Sequence, residues 1–173
     1  MANRNDNDAA ISVLNDLIET SKDGVNGFRA AADAVRSAEA KAVFLSRVQY
    51  IERAVAELQD AVRRLGGDPE RTGSVAGALH RGWMGLKSAV TGRDDAAIVT
   101  ECERGEEVAV KNYEDALKKD LPADVRALVE QQYRGAVQNL ERVRALARAR
   151  GADSPTVAPR PAADRDRGAP PPA

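Results

Sequence analysis

The chain has 173 residues, 43% of them hydrophobic but only 3% aromatic, and its 26 Lys and Arg nearly balance 27 Asp and Glu. A length of this order holds one domain plus an appendage, because about 150 residues already close a single core. The formal charge of -1 excludes the basic footprint of a nucleic-acid binder, and no apolar run approaches the roughly 20 residues needed to cross a bilayer.

Scarce aromatics and abundant Ala, Leu, Val, Glu and Arg favour thin, closely packed helices over a sheet, and the apolar periodicity supports this along the chain. Residues 1–8 read as a flexible, polar N-terminal segment without the apolar stretch of a signal peptide. From Ile11 to Val35 the pattern Ile11, Leu14, Ile18, Ser21, Val25, Phe28, Ala32, Val35 alternates steps of three and four, which predicts a helix with a heptad seam. Ser37 caps a second helix, with the seam Phe44, Val48, Ile51, Val55, Leu58, Val62, Leu65, and Gly66 and Gly67 stop it. A short amphipathic helix follows between Ser74 and Gly92, with Val75, Leu79, Trp83, Leu86 and Val90 on one stripe. Asp94 or Asp95 opens the third long helix, carrying Ile98, Cys102, Glu106, Ala109, Tyr113 and Ala116 on one face. Pro122, suited to a first helical turn, opens the fourth, with Val125, Val129, Gln132, Ala136, Asn139, Val143 and Leu146 inward. Residues 9–150 thus form a four-helix bundle. The short links within each pair make antiparallel neighbours, and the long link between the second and third helices carries the chain back along the bundle. Residues 151–173, rich in Pro, Ala, Asp and Arg, read as a disordered tail.

The segments GSVAGALHRGWMGLKSAVTG from Gly73 and ECERGEEVAVKNYEDAL from Glu101, with LGGDP at Leu65 and DLPADVRALV at Asp120, closely resemble an uncharacterised bacterial family of ferritin-like four-helix bundles, a domain of unknown function. The resemblance spans about Ile11 to Arg150 and implies a fold without an assigned reaction. The wider superfamily includes di-iron proteins with a Glu on two helices and a Glu-x-x-His on the other two, all facing inward. Against that pattern, Glu106, Ala109 and Tyr113 reproduce a Glu-x-x-Ala-x-x-x-Tyr segment of the rubrerythrin-like branch. Ser21 stands one heptad before Phe28 where helix one would carry its Glu, Ile51 and Ala54 replace the second helix's Glu-x-x-His, and Ala136 and Asn139 replace the fourth's. Only Glu106 of that ligand set survives. No cofactor is expected; the alternative is a metal-binding or oxidative-stress-related ferritin-like protein with iron or manganese held weakly by helix-three carboxylates, Glu106 and Glu103 first among them.

Polar residues remain at seam positions: Ser21, Glu106, Gln132 and Asn139. An unpaired buried carboxylate costs several kcal/mol, so an inward Glu106 must be hydrogen-bonded, protonated or hydrated. The expectation is a polar layer that fixes helix register in place of metal. Cys102, one turn before Glu106, reads as a small apolar group. It cannot form an internal disulfide, which fits a cytoplasmic protein. His80, Arg81, Trp83 and Lys87 cluster on the crossover, either as a lid whose Trp covers the bundle or as a docking surface anchored by Trp83. A third reading places a small-molecule pocket beneath Trp83. The pattern contains no nucleophile with its base and no glycine-rich phosphate loop. The expectation is therefore a non-enzymatic protein with a structural or protein-interaction role, self-associating through an Ala-rich helix face or binding another protein, with neither nucleic acid nor membrane as partner.

Overall fold

The structure, a computed structural model, describes residues 4–69, 83, 85–92 and 94–153. Its elements are all helices: α1 (Arg4–Ala34), α2 (Ala38–Arg64), α3 (Leu86–Thr91), α4 (Asp95–Leu117) and α5 (Ala123–Asp153). Among the described residues, no helix is long and apolar enough to cross a membrane.

Local chemistry sets the helix ends. The Ser37 hydroxyl accepts the Ala40 N–H at 3.3 Å, and the Asp94 carboxylate accepts that of Ala96 at 3.0 Å, each satisfying a first-turn donor that has no partner within its helix. At the end of α2, Gly66 takes φ +85°. Gly66 N–H then reaches the Arg63 carbonyl and Gly67 N–H the Val62 carbonyl. This paired closure needs a left-handed residue, and glycine adopts that conformation without steric cost. Pro122 lies just ahead of α5, and its carbonyl accepts the Arg126 N–H. The Arg126 guanidinium turns back to the carbonyls of Leu117 and Lys119, both at 2.8 Å, closing the end of α4.

Two boundaries differ from the sequence reading. Helix α1 begins at Arg4, inside the segment 1–8 expected to be flexible. A helix once nucleated extends through polar residues at little cost, so its start carries no apolar signal. Helix α5 continues to Asp153, past the expected boundary at 150; the remainder of the tail lies outside the described residues. Of the crossover helix, only Leu86–Thr91 and the single-residue turn at Trp83 are described, and Val75, Leu79, His80 and Arg81 fall outside.

Side-chain contacts fix the topology. Asp95, at the start of α4, accepts the backbone N–H groups of Arg36 and Ser37, both at 2.9 Å, and the Arg150 guanidinium at 3.1 Å. The starts of α2 and α4 and the finishes of α1 and α5 therefore share one end of the bundle. At the other end, Asn15 Nδ2 donates to the Asp68 carbonyl. Helices α2 and α4 thus run parallel, as the long crossover requires. Helix α1 packs on α2 and α4, α5 packs on α4 and α2, and α3 lies across α1 and α4.

The core divides into two apolar clusters. One gathers Phe28, Phe44, Val48, Ile98, Cys102, Val143 and Leu146 towards the Asp95 end. The other gathers Leu14, Ile18, Leu58, Val62, Tyr113, Val125 and Val129 towards the opposite end. Leu14, Phe44 and Leu58 are fully buried, each stabilising the fold by about 1.5–3 kcal/mol through area removed from water. Between the two clusters lies a band of polar side chains.

Candidate functional site: a polar layer at mid-bundle

Ser21, Glu106, Gln132 and Asn139 are all buried, Glu106 and Gln132 to within 1% of complete. Each stands on the inward stripe of a different helix or a different turn, so burial follows from the heptad seam that places it. Arg47 joins them from α2, only 6% exposed. Its Nη2 donates to the Glu106 carboxylate in a buried ion pair linking α2 to α4, and its guanidinium lies 5.1 Å from the Tyr50 ring centroid, within cation–π range. The Tyr50 hydroxyl in turn rests on Gly135 of α5, where a Cβ would overlap it.

The sequence reading placed Glu106 inside but assigned it no cation. Arg47 sits one step off the seam, between Phe44 and Val48, where a long basic side chain ordinarily carries its charge outward to water. The only signal for it was the need of a buried carboxylate for a positive partner.

A second set of bonds runs beside this pair. Tyr113 OH donates to Gln132 Oε1 at 3.0 Å, and Gln132 Nε2 donates to the Ala54 carbonyl at 3.2 Å and to Glu57 Oε2 at 2.9 Å. One glutamine on α5 thereby holds α4 and α2 together. Ser21 lies beside the Tyr113 hydroxyl and favours its ionised form, yet burial dominates and pushes the phenol up to about 12. Tyr113 is therefore a neutral donor at physiological pH. The expected layer is thus divided: Glu106 belongs to the Arg47 pair, whereas Gln132 belongs to the Tyr113 bonds.

Burial also raises the Glu106 carboxyl above its usual range, outweighing the charge and hydrogen bond of Arg47 and the neighbouring Asn139 amide. Asn139 favours the carboxylate from close by, although its Nδ2 reaches no acceptor with hydrogen-bonding geometry among the described residues. Cys102 is raised well above its ordinary value by burial first, then by the charges of Glu106 and Glu101. The thiolate needed for redox or nucleophilic chemistry is correspondingly disfavoured.

The two carboxylates singled out as metal ligands do not converge. Glu103 pairs instead with Arg144 at 3.1 Å, on an outer face where Arg144 also holds Glu107 and Glu141. On the crossover, Lys87 is exposed and Trp83 half-buried. Trp83 packs edge-on against Phe28, ring centroids 5.1 Å apart, and its ring is seated against Gly27 and Gly105. Together with Ser21, Arg47, Glu106 and Tyr113, Trp83 lines a cavity of about 30 Å³ between α1, α2 and α4.

Fold and layer together define a ferritin-like helical bundle. The family model described as Domain of unknown function (DUF2383) matches residues 9–119, and the chain belongs to that family. The match ends before α5, short of the Arg150 limit read from the sequence. Among solved structures, the chain is similar to a two-domain protein from Anabaena variabilis containing DJ-1/ThiJ/PfpI-like and ferritin-like domains, at 16% identity and a TM-score of 0.71. The likeness covers 98% of this chain but 42% of that one, so the chain spans less than half its neighbour's length. No curated protein matches the chain.

The fold raises the question of a di-iron centre, and the described residues at the positions compared with one do not supply its ligand set. Ser21, Ile51, Ala54 and Glu106 line the cavity, and Ala136 and Asn139 are buried nearby. Of these only Glu106 is a carboxylate, none is an imidazole, and Glu106 already faces a guanidinium whose charge opposes an incoming cation. Among the described residues, no group of three or more His, Cys, Asp or Glu is placed to hold a metal ion.

Proposed function

We propose that this protein is a non-enzymatic ferritin-like bundle with a structural or protein-interaction role, in which a protein-borne ion pair takes over the central position that metal occupies in di-iron relatives. The observation that carries this reading is the buried Arg47–Glu106 pair. A fixed guanidinium neutralises the surviving carboxylate and ties α2 to α4, leaving the helix register to be held by side chains alone. Buried polar groups fix register in this way in some coiled coils. The lone thiol of Cys102 fits a reducing compartment such as the cytoplasm, and the small residues along the helix faces suit self-association.

Metal analysis of the purified protein and of Glu106→Ala tests the proposal. The expected result is substoichiometric iron and manganese in both, with a lower Tm in the variant. Stoichiometric metal that disappears with Glu106 would instead establish a metal-binding protein that uses helix carboxylates.

A further inference from the structure

The cavity beneath Trp83 has the features of a binding site. Its surface is largely apolar, from Phe28, Ile51, Ala54 and Trp83, while Ser21, Arg47, Glu106, Tyr113 and Gln132 provide polar groups. Arg47 spends Nη2 on Glu106, but its Nε–H, although the side chain is only 6% exposed, meets no acceptor among the described residues. A buried donor without a partner is costly, and a guest carrying an oxygen acceptor would satisfy it.

Charge and size define that guest. Arg47 and Glu106 already neutralise one another, so a charged guest would lose its hydration without gaining an opposite charge. A water molecule requires about 10–15 Å³ measured in this way, so 30 Å³ admits a molecule of about two to three heavy atoms. Trp83 closes one side. A Cβ on Gly27 or on Gly105 would come closer than 3.0 Å to its ring, so these two glycines, one on α1 and one on α4, form the notch that seats the indole. Asp23, Gly24, Val108 and Ala109, half-buried members of the lining, mark the side nearest solvent.

We propose that this cavity binds a small uncharged molecule through an oxygen acceptor on the Arg47 Nε–H, against the Trp83 ring as one wall. The site does not depend on the structural reading above, because the ion pair stays intact whether the cavity is filled or empty. Formamide has the required size, an acceptor oxygen and no charge; formate is its charged counterpart. In the ¹⁵N-labelled full chain, titration with formamide is expected to shift the Arg47 Nε–H resonance saturably and to change the emission of Trp83, the only tryptophan, with the same midpoint. Formate should give neither response. Ala109→Leu places added bulk in the cavity while keeping both Arg47 and Glu106 in the chain, and is expected to weaken formamide binding at least tenfold. A shift that rises linearly without a midpoint, an equal response to formate, or an unchanged midpoint in a folded Ala109→Leu variant overturns the site. So does an Arg47 Nε–H held throughout by a water that formamide does not displace.

Discussion

At the scale of single residues, the centre of the bundle turns on whether charges are removed singly or together. Arg47→Ala leaves a buried carboxylate without its cation, and Glu106→Ala leaves a buried guanidinium without its anion. Each is expected to cost about 3–5 kcal/mol, whereas Arg47→Met with Glu106→Leu should cost far less than the sum, because the desolvation of both charges is relieved together. Denaturant unfolding of the four proteins measures this coupling, and additive losses would show that the pair contributes nothing as a pair. The sequence revealed half of this arrangement. Glu106 stands on one helix face with Ile98, Cys102 and Tyr113, so its burial could be read from spacing, as could that of Ser21, Gln132 and Asn139. Arg47 could not, because a residue beside the seam turns inward or outward according to tertiary partners 59 positions away.

At the scale of the elements, helix ends were more legible than helix beginnings without caps. Ser37, Gly66 and Asp94 announce themselves by the backbone groups they satisfy or the φ they tolerate. The start of α1, which has no apolar residue to mark it, does not. Asp95 was read only as an alternative cap to Asp94, yet it ties the α1–α2 link and the final turns of α5 to the start of α4. Burial alone would raise its pKa, but the Arg36 and Ser37 N–H groups and Arg150 together lower it below the ordinary value. The unfolded chain therefore takes up the proton first as pH falls. The stabilisation that Asp95 gives is complete above the ordinary value of 3.8 and is lost as pH falls through the lower folded value. Asp95→Asn should lower stability at neutral pH by about 1–3 kcal/mol and flatten the stability profile in that acidic window. Urea unfolding from neutral pH down to pH 3 checks both effects, and an unchanged slope below pH 4 would remove Asp95 from the account.

At the scale of the whole molecule, two apolar clusters sit on either side of a polar band, which poses the question of whether they are two units of stability. All four long helices run through both clusters, so neither can open without fraying the helices that build the other. Leu14→Ala in one cluster and Phe44→Ala in the other should each lower the midpoint of a single transition, with helical signal and Trp83 emission lost together. Separate midpoints would show that the band divides the molecule into independent units. The bundle topology was readable from unequal link lengths, because only a long connection can return α4 parallel to α2. The contents of that connection were less readable, since a short amphipathic stripe does not say which face of the bundle receives it. The Asp95 junction also bears on the order of assembly. Its acceptors meet donors 59, 58 and 55 positions away, so it cannot close until both antiparallel hairpins have formed and docked. Such a contact is missing from an early folding nucleus, and in stopped-flow measurements its loss is expected to speed unfolding while leaving the refolding rate nearly unchanged. Asp95 is therefore a latch on the lifetime of the native bundle rather than a seed of its formation.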